Sequence, residues 1–252
     1  MSVERATRGC GPGGRHPGLA LVTARAHPDR RLSPVVSPWP DELFAGPTGD
    51  GPITLRSRDG GRIAIDPRRW HAAPGAADLA LLARARGPVL DIGCGPGRLV
   101  HALVLAGRVA LGIDVSAAAV ASTRRRGAPA VHTSVFGPVP SAGRWGTALL
   151  LDGNIGIGGD ATTLLRHTAG LLAPDGLILV EVDSPAAVSE QVEVCVEHGA
   201  EPGSWFPWST IAAGDIPRVA VAAGLVVEEA WQHTGRWFAA LAAGLVSEQA
   251  AS

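Results

Sequence analysis

Positions 1–50 show no sustained apolar period and are rich in Pro, Gly and Arg, so a disordered tail is expected over residues 1–52. From Ile53 the chain reads Ile-Thr-Leu-Arg, and then Arg62-Ile63-Ala64-Ile65, on either side of Asp59-Gly60. That alternation predicts two short strands joined by a turn. Asp66-Pro67 ends the second strand, and the apolar spacing over 76–86 predicts a helix. After Pro88, short apolar runs at 89–92, 109–113, 130–135, 147–151 and 177–182 read as strands. Helical patterns at 97–106, 117–126 and 161–173 lie between them. This rhythm, with short connections, predicts an α/β, doubly wound, Rossmann-like sheet built from right-handed crossovers.

The rhythm changes after the fifth strand. Val192, Val194 and Val196 alternate with Glu193, Cys195 and Glu197. A turn-like stretch follows, then Trp205-Phe206-Pro207-Trp208, and together these predict an inserted antiparallel hairpin. A helix at 215–223 and strands at 225–231 and 236–241 would close a mostly parallel, seven-stranded sheet with an antiparallel edge, the last strand being antiparallel. The expected organisation is a tail over 1–52 and one domain over 53–246. The domain divides into an N-terminal hairpin and helix (53–87), a core (88–183), an inserted hairpin or lid (184–210), and a closing helix and strands (211–246).

Composition narrows the classes. With 46% hydrophobic and 18% charged residues, the chain suits a well-packed domain, and no stretch approaches the roughly 20 apolar residues of a membrane span. No apolar signal segment follows Arg5 and Arg8, so a soluble, cytoplasmic protein is expected. Cys10, Cys94 and Cys195 have neither disulfide-framework nor zinc spacing, and no metal is expected. The net charge of -1 gives no general attraction to nucleic acid or membrane. Arg124-Arg125-Arg126 either closes a helix C-terminus or meets an anion. The chain has no lysine and no tyrosine, and its Arg/Ala/Gly/Pro bias is that of a GC-rich bacterial genome.

The chemistry centres on Val89-Leu90-Asp91-Ile92-Gly93-Cys94-Gly95-Pro96-Gly97-Arg98, where a buried strand runs through a glycine-rich turn into a helix. Such turns bring backbone close to a nucleotide-like ligand at a helix N-terminus. A dinucleotide fingerprint needs a third glycine at 98, where Arg98 stands. Gly9 to Gly14 has no strand before it and no helix after it, and reads as flexible tail. At the end of the next strand, Asp114 either accepts ribose hydroxyls or caps the following helix.

The acid-x-Gly-x-Gly-x-Gly pattern resembles motif I of class I methyltransferases, and with Asp114 the resemblance extends over residues 88–183. It implies an S-adenosylmethionine-dependent methyltransferase. Asp91 would face the methionine amine, and Gly93, Cys94, Gly95 and Gly97 would pack against methionine and ribose. Asp114 and Val115 would take the ribose side. Leu171 to Gly176 looks like the family's turn before the fifth strand. The third strand lacks the acid that commonly takes the adenine amino group, leaving Ser134 and Val135, with Phe136 beside them, for that side. Asp152 and Asn154, after the fourth strand, would hold the methionine amine or orient an acceptor. Glu181 and Asp183 form a second acidic pair at that edge.

Without lysine or tyrosine, a lysine-based tetrad and an Asn-Pro-Pro-Tyr motif are excluded. No catalytic base can be assigned among His132, His167, His198 and His233. Trp70, Trp205, Phe206 and Trp208 are candidates for an aromatic acceptor pocket, whereas Trp231 and Trp237 read as core. The expected partner is a small-molecule acceptor. Nucleic-acid or protein methylation, or catalytically silent cofactor binding, are the alternatives.

Overall fold

The structure, a computed structural model, describes residues 37–45, 53–197 and 203–244. Its first element, α1 (Glu42–Ala45), falls within the expected tail, so the expectation of disorder over 1–52 is corrected for residues 37–45. Leu43 is fully buried and Phe44 nearly so, which is why this short segment stays on the domain. Residues 1–36 and 46–52, Cys10 and the Gly9 to Gly14 cluster among them, lie outside the described residues. So do residues 198–202, which hold His198 and most of the turn expected in the inserted hairpin.

Strands β1 (Ile53–Ser57) and β2 (Arg62–Ile65) pair antiparallel across the Asp59-Gly60 turn. After them come α2 (Arg68–His71) and α3 (Ala76–Leu82). The βα alternation then runs through β3 (Val89–Ile92), α4 (Arg98–Leu105), β4 (Ala110–Asp114), α5 (Ala117–Arg125) and β5 (Ala130–His132). It continues with β6 (Trp145–Leu150), a 3-10 segment (Asn154–Gly159), α6 (Ala161–Ala169) and β7 (Leu172–Val182). The remaining elements are β8 (Glu190–Glu197), β9 (Phe206–Thr210), α7 (Ile216–Ala222), β10 (Leu225–His233) and β11 (Arg236–Ala243).

The main sheet has the order β10-β11-β7-β6-β3-β4-β5. Its pairs from β7 to β5 are parallel, and β11 runs antiparallel to both β7 and β10. The last strand is antiparallel, as expected, and lies inside the sheet between β7 and β10. The burial of each strand explains the placement. Phe238 to Leu241 are buried on both faces, as an interior strand requires, whereas β10 is largely exposed along its length. In β3, Leu90 and Ile92 join the core on one face and Val89 joins the core on the other, the two-residue period of a covered strand.

Several boundaries differ from the sequence reading, among them α3, which ends at Leu82 instead of 86. β5 stops at His132 because Ser134 to Gly137 turn, with the Phe136 amide donating to Ser134 Oγ and the Gly137 amide to Ser134 O. α6 ends at Ala169, capped by Gly170, so Leu172 and Ala173 belong to β7. The run Arg124 to Arg126 closes α5. Arg124 donates to Ala130 O and Arg126 to His71 O.

The hairpins β1-β2 and β8-β9 join edge to edge in a second sheet of order β2-β1-β8-β9, with Thr54 opposite Glu197. One face of this sheet buries Leu55, Val194, Val196 and Trp208 together with Leu43. It thereby closes over the loops at the C-terminal ends of the main strands.

Candidate active site

The loop after β3 is built by its glycines and by three side chains that bind its backbone. Gly97 has φ +81, and a Cβ there would lie 2.5 Å from Thr123, so α4 starts where only glycine fits. Thr123 donates to Gly95 O (2.8 Å). Asn154 donates to Ile92 O (2.8 Å) and Gly93 O (3.0 Å), and Asp114 Oδ2 accepts from the Gly95 amide (2.9 Å). The loop is thus clamped from α5, from the 3-10 segment and from β4. Cys94 is buried against Gly112, and burial pushes its thiol well above the usual range, which makes it a packing group and not a nucleophile.

Below the loop, Asp91 is 3% exposed, and no hydrogen bond to its carboxylate is found among the described residues. Burial, with the charges of Asp152, Asp114 and Asp78, outweighs the attraction of Arg98 and pushes its carboxyl up to about 7. Burial raises the Asp114 carboxyl too, opposed by the amides of Ser116 and Gly95. The helix-capping role open to Asp114 in the sequence belongs to Ser116, whose hydroxyl accepts from the Ala119 amide (3.1 Å). His132 Nε2 lies 2.9 Å from Val115 O, just past the end of β4.

Arg98, which in sequence only broke a glycine spacing, closes a buried ring of charges. It is 4% exposed and pairs with Asp78 and with Asp152 Oδ2 (2.7 Å). Asp78 also pairs with Arg236 (2.6 Å), and Arg236 grips both oxygens of Glu181. Glu181 Oε2 accepts the Asp152 amide (2.8 Å), which returns the ring to its start. Arg69 adds a second contact to Asp152 (3.0 Å). Burial raises the carboxyls of Asp78 and Glu181, but their guanidinium partners outweigh it and hold Asp78 down to about 2 and Glu181 below its usual range. Asp152 takes φ +57, a left-handed backbone unusual for a non-glycine residue, within this ring.

These parts surround one cavity of about 300 Å³. Of the residues singled out in the sequence, Asp91, Gly93, Cys94, Gly95, Asp114, Val115, Ser134, Val135, Asp152 and Asn154 line it, as do Trp70, Phe206 and Trp208. Four do not. Gly97 lies behind the loop. Glu181 is occupied by Arg236, and Asp183 is exposed at an isolated bridge to Ala212. Trp205 faces away and stacks with Arg56 and Arg58. The sequence reading missed Trp39 and Phe44. Trp39 packs edge-on to Trp70 (5.6 Å, 87°) and Trp208 (6.1 Å, 78°), and Phe44 stacks on Trp70. The available signal was two aromatics within six residues of a Pro-rich stretch, too little to separate them from a tail.

The glycine turn with acids at the ends of β3 and β4 coincides with a family match. The profile of the methyltransferase domain matches residues 68–228. The chain belongs to this family. It is a class I, S-adenosylmethionine-dependent methyltransferase. Among solved structures, it is similar to an S-adenosylmethionine-dependent methyltransferase from Bacteroides fragilis in complex with S-adenosyl-L-homocysteine. The identity is 22% and the TM-score 0.66, over 81% of this chain and 92% of that one. It is also similar to the CcbJ methyltransferase from Streptomyces caelestis (16% identity, TM-score 0.53, 69% and 92% covered) and to the glycopeptide N-methyltransferase MtfA (17%, 0.53, 68% and 91%). At these identities the likeness is one of fold. No curated protein matches the methyltransferase in sequence. Among the described residues, no helix is long and apolar enough to cross a membrane, and no group of three or more His, Cys, Asp or Glu is placed to hold a metal.

Proposed function

We propose that the cavity binds S-adenosylmethionine with its methionine end over Asp91 and that the methyl group passes to a small-molecule acceptor. The observation that carries this is the Asp91 carboxylate, buried on the cavity wall without a hydrogen-bond donor. A cationic amine supplies the charge and the hydrogen bond that such a group lacks. The cavity volume lies at the lower end of the roughly 300–1,000 Å³ usual for small-molecule sites.

When bound, the sulfonium supplies an already activated methyl group, so the chain's task is to bind, align and exclude water. Asp114, fixed by the Gly95 and Ser116 amides, faces the ribose. Gly93, Cys94 and Gly95 pack along the methionine and ribose, with Gly97 setting the turn behind them. Val115, Ser134 and Val135 flank the adenine. Asn154 keeps the loop in place, and Asp152, held by Arg98, forms the wall beside the methionine end. Trp70, Phe206 and Trp208 close the acceptor side, joined by Trp39. The β8-β9 insertion acts as its cover, together with the N-terminal hairpin.

On this reading the enzyme works in the cytoplasm and uses no metal, in keeping with its buried free Cys94 and Cys195 and with an electrophile that needs no Lewis acid. Nucleic acid is a poorer acceptor, because Arg124 and Arg126 are engaged with backbone carbonyls of the domain itself. Incubation with methyl-labelled S-adenosylmethionine and fractionated cell extract tests the acceptor class. Label is expected in the small-molecule fraction, and label confined to RNA or protein would contradict the proposal.

A further inference from the structure

The charge and shape of the cavity wall narrow the acceptor further. Among the described residues, the ionisable groups lining it are Asp91, Cys94, Asp114, Asp152 and Arg98. The one guanidinium is already divided between Asp78 and Asp152, and the nearby Arg69 and Arg236 lie on Asp152 and Glu181. An anionic acceptor would therefore enter a wall of carboxylates with no uncommitted cation among the described residues to meet it, at the cost of a desolvated, unpaired charge. S-adenosylmethionine carries one net positive charge, which leaves the wall net negative with its carboxylates ionised.

The side away from the glycine loop is an aromatic corner. Trp39 stands at 87° to Trp70 and at 78° to Trp208, and Phe206 stands at 89° to Trp208. Two parallel plates would suit a flat ring, whereas walls at right angles suit a compact head group, and ring faces attract cations.

We infer that the methyl acceptor is an amine whose compact, cationic head sits between this aromatic corner and the carboxylate wall. The inference rests on the reading of the cavity as the S-adenosylmethionine site. It also fits the absence of lysine and tyrosine from the chain and, among the described residues, of histidine and glutamate from the cavity lining. A phenolate or carboxylate would need a cation to hold it, and the one guanidinium of the wall is already paired. An amine arrives as the ammonium ion, gives one proton to water and then presents a neutral lone pair. A nitrogen-carbon bond forms as the carbon-sulfur bond breaks, and the electron pair of that bond goes to sulfur. The product is a methylated ammonium, so one proton is released overall.

The test uses the full chain saturated with S-adenosylhomocysteine, with binding of that ligand measured first. Benzylamine, phenol and benzoate, which share a ring and differ in head charge, are then titrated by calorimetry and by tryptophan fluorescence. Benzylamine is expected to bind at least about tenfold more tightly than either of the others, the equivalent of about 1.4 kcal/mol. Failure of S-adenosylhomocysteine to bind would remove the underlying reading. If it binds while benzoate or phenol equals benzylamine, or while none of the three binds, the amine inference alone is overturned.

Discussion

Asp91 and Asp114 end adjacent strands of one sheet, yet their surroundings set them apart. Asp114 already holds two amides, while Asp91 holds none and has a carboxyl pushed up to about 7. The folded chain therefore keeps a proton on Asp91 that an unfolded chain loses at about pH 4. The associated stability is present below about pH 4 and is lost as the pH rises through about 7. Asp91→Asn should accordingly raise the thermal midpoint of the ligand-free protein at pH 8, with the gain vanishing near pH 4. Paired melting curves across that range read the effect directly. Asp114→Ala should weaken S-adenosylhomocysteine binding by about 1–3 kcal/mol without unfolding the domain, as calorimetry and circular dichroism would show. Both acids were legible from sequence because strand end, glycine spacing and chain order are local. The raised carboxyl of Asp91 was not, because it depends on burial and on Arg98, Asp152, Asp114 and Asp78 arriving from other segments.

At the scale of elements, the ring of Asp78, Arg98, Asp152, Glu181 and Arg236 joins α3, α4, the loop after β6, the end of β7 and the start of β11. Removing one member leaves a buried partner uncompensated, so Arg98→Met should destabilise the fold by about 3–5 kcal/mol in denaturant titration. Asp78→Asn in the same chain should recover part of that loss, since the two groups are directly coupled. This ring was hidden from sequence reading because no local period relates residues so far apart. Glu181 looked like a pocket acid for the same reason: nothing in its own strand announces Arg236. α1 makes a parallel case. Its four residues are too short to show a period, yet Leu43 is fully buried, and Leu43→Ala should cost about 2–5 kcal/mol. A cost below about 0.5 kcal/mol would mean that α1 does not pack on the domain in solution.

Over the whole molecule, the alternation after Pro88 carried the seven-stranded sheet, because each βα unit is short and its crossover has one hand. The second sheet was legible only as two separate hairpins. Their joining through Thr54 and Glu197 is a long-range pairing, and it is this pairing that brings Trp70, Phe206 and Trp208 to one cavity and leaves Trp205 outside. On the proposed reading, the donor site comes from the strand ends of the main sheet and the acceptor wall from the smaller sheet with α1. The central claim is that the Asp91 carboxylate, on the cavity wall, receives the methionine amine. Calorimetric titration of the protein with S-adenosylhomocysteine at pH 6.5, in buffers of different ionisation enthalpy, measures this most directly. The account predicts one ligand per chain, with proton release from the protein that disappears in Asp91→Asn together with about tenfold or more of the affinity. No binding by folded protein, or binding unaltered in proton release and affinity by Asp91→Asn, would contradict it.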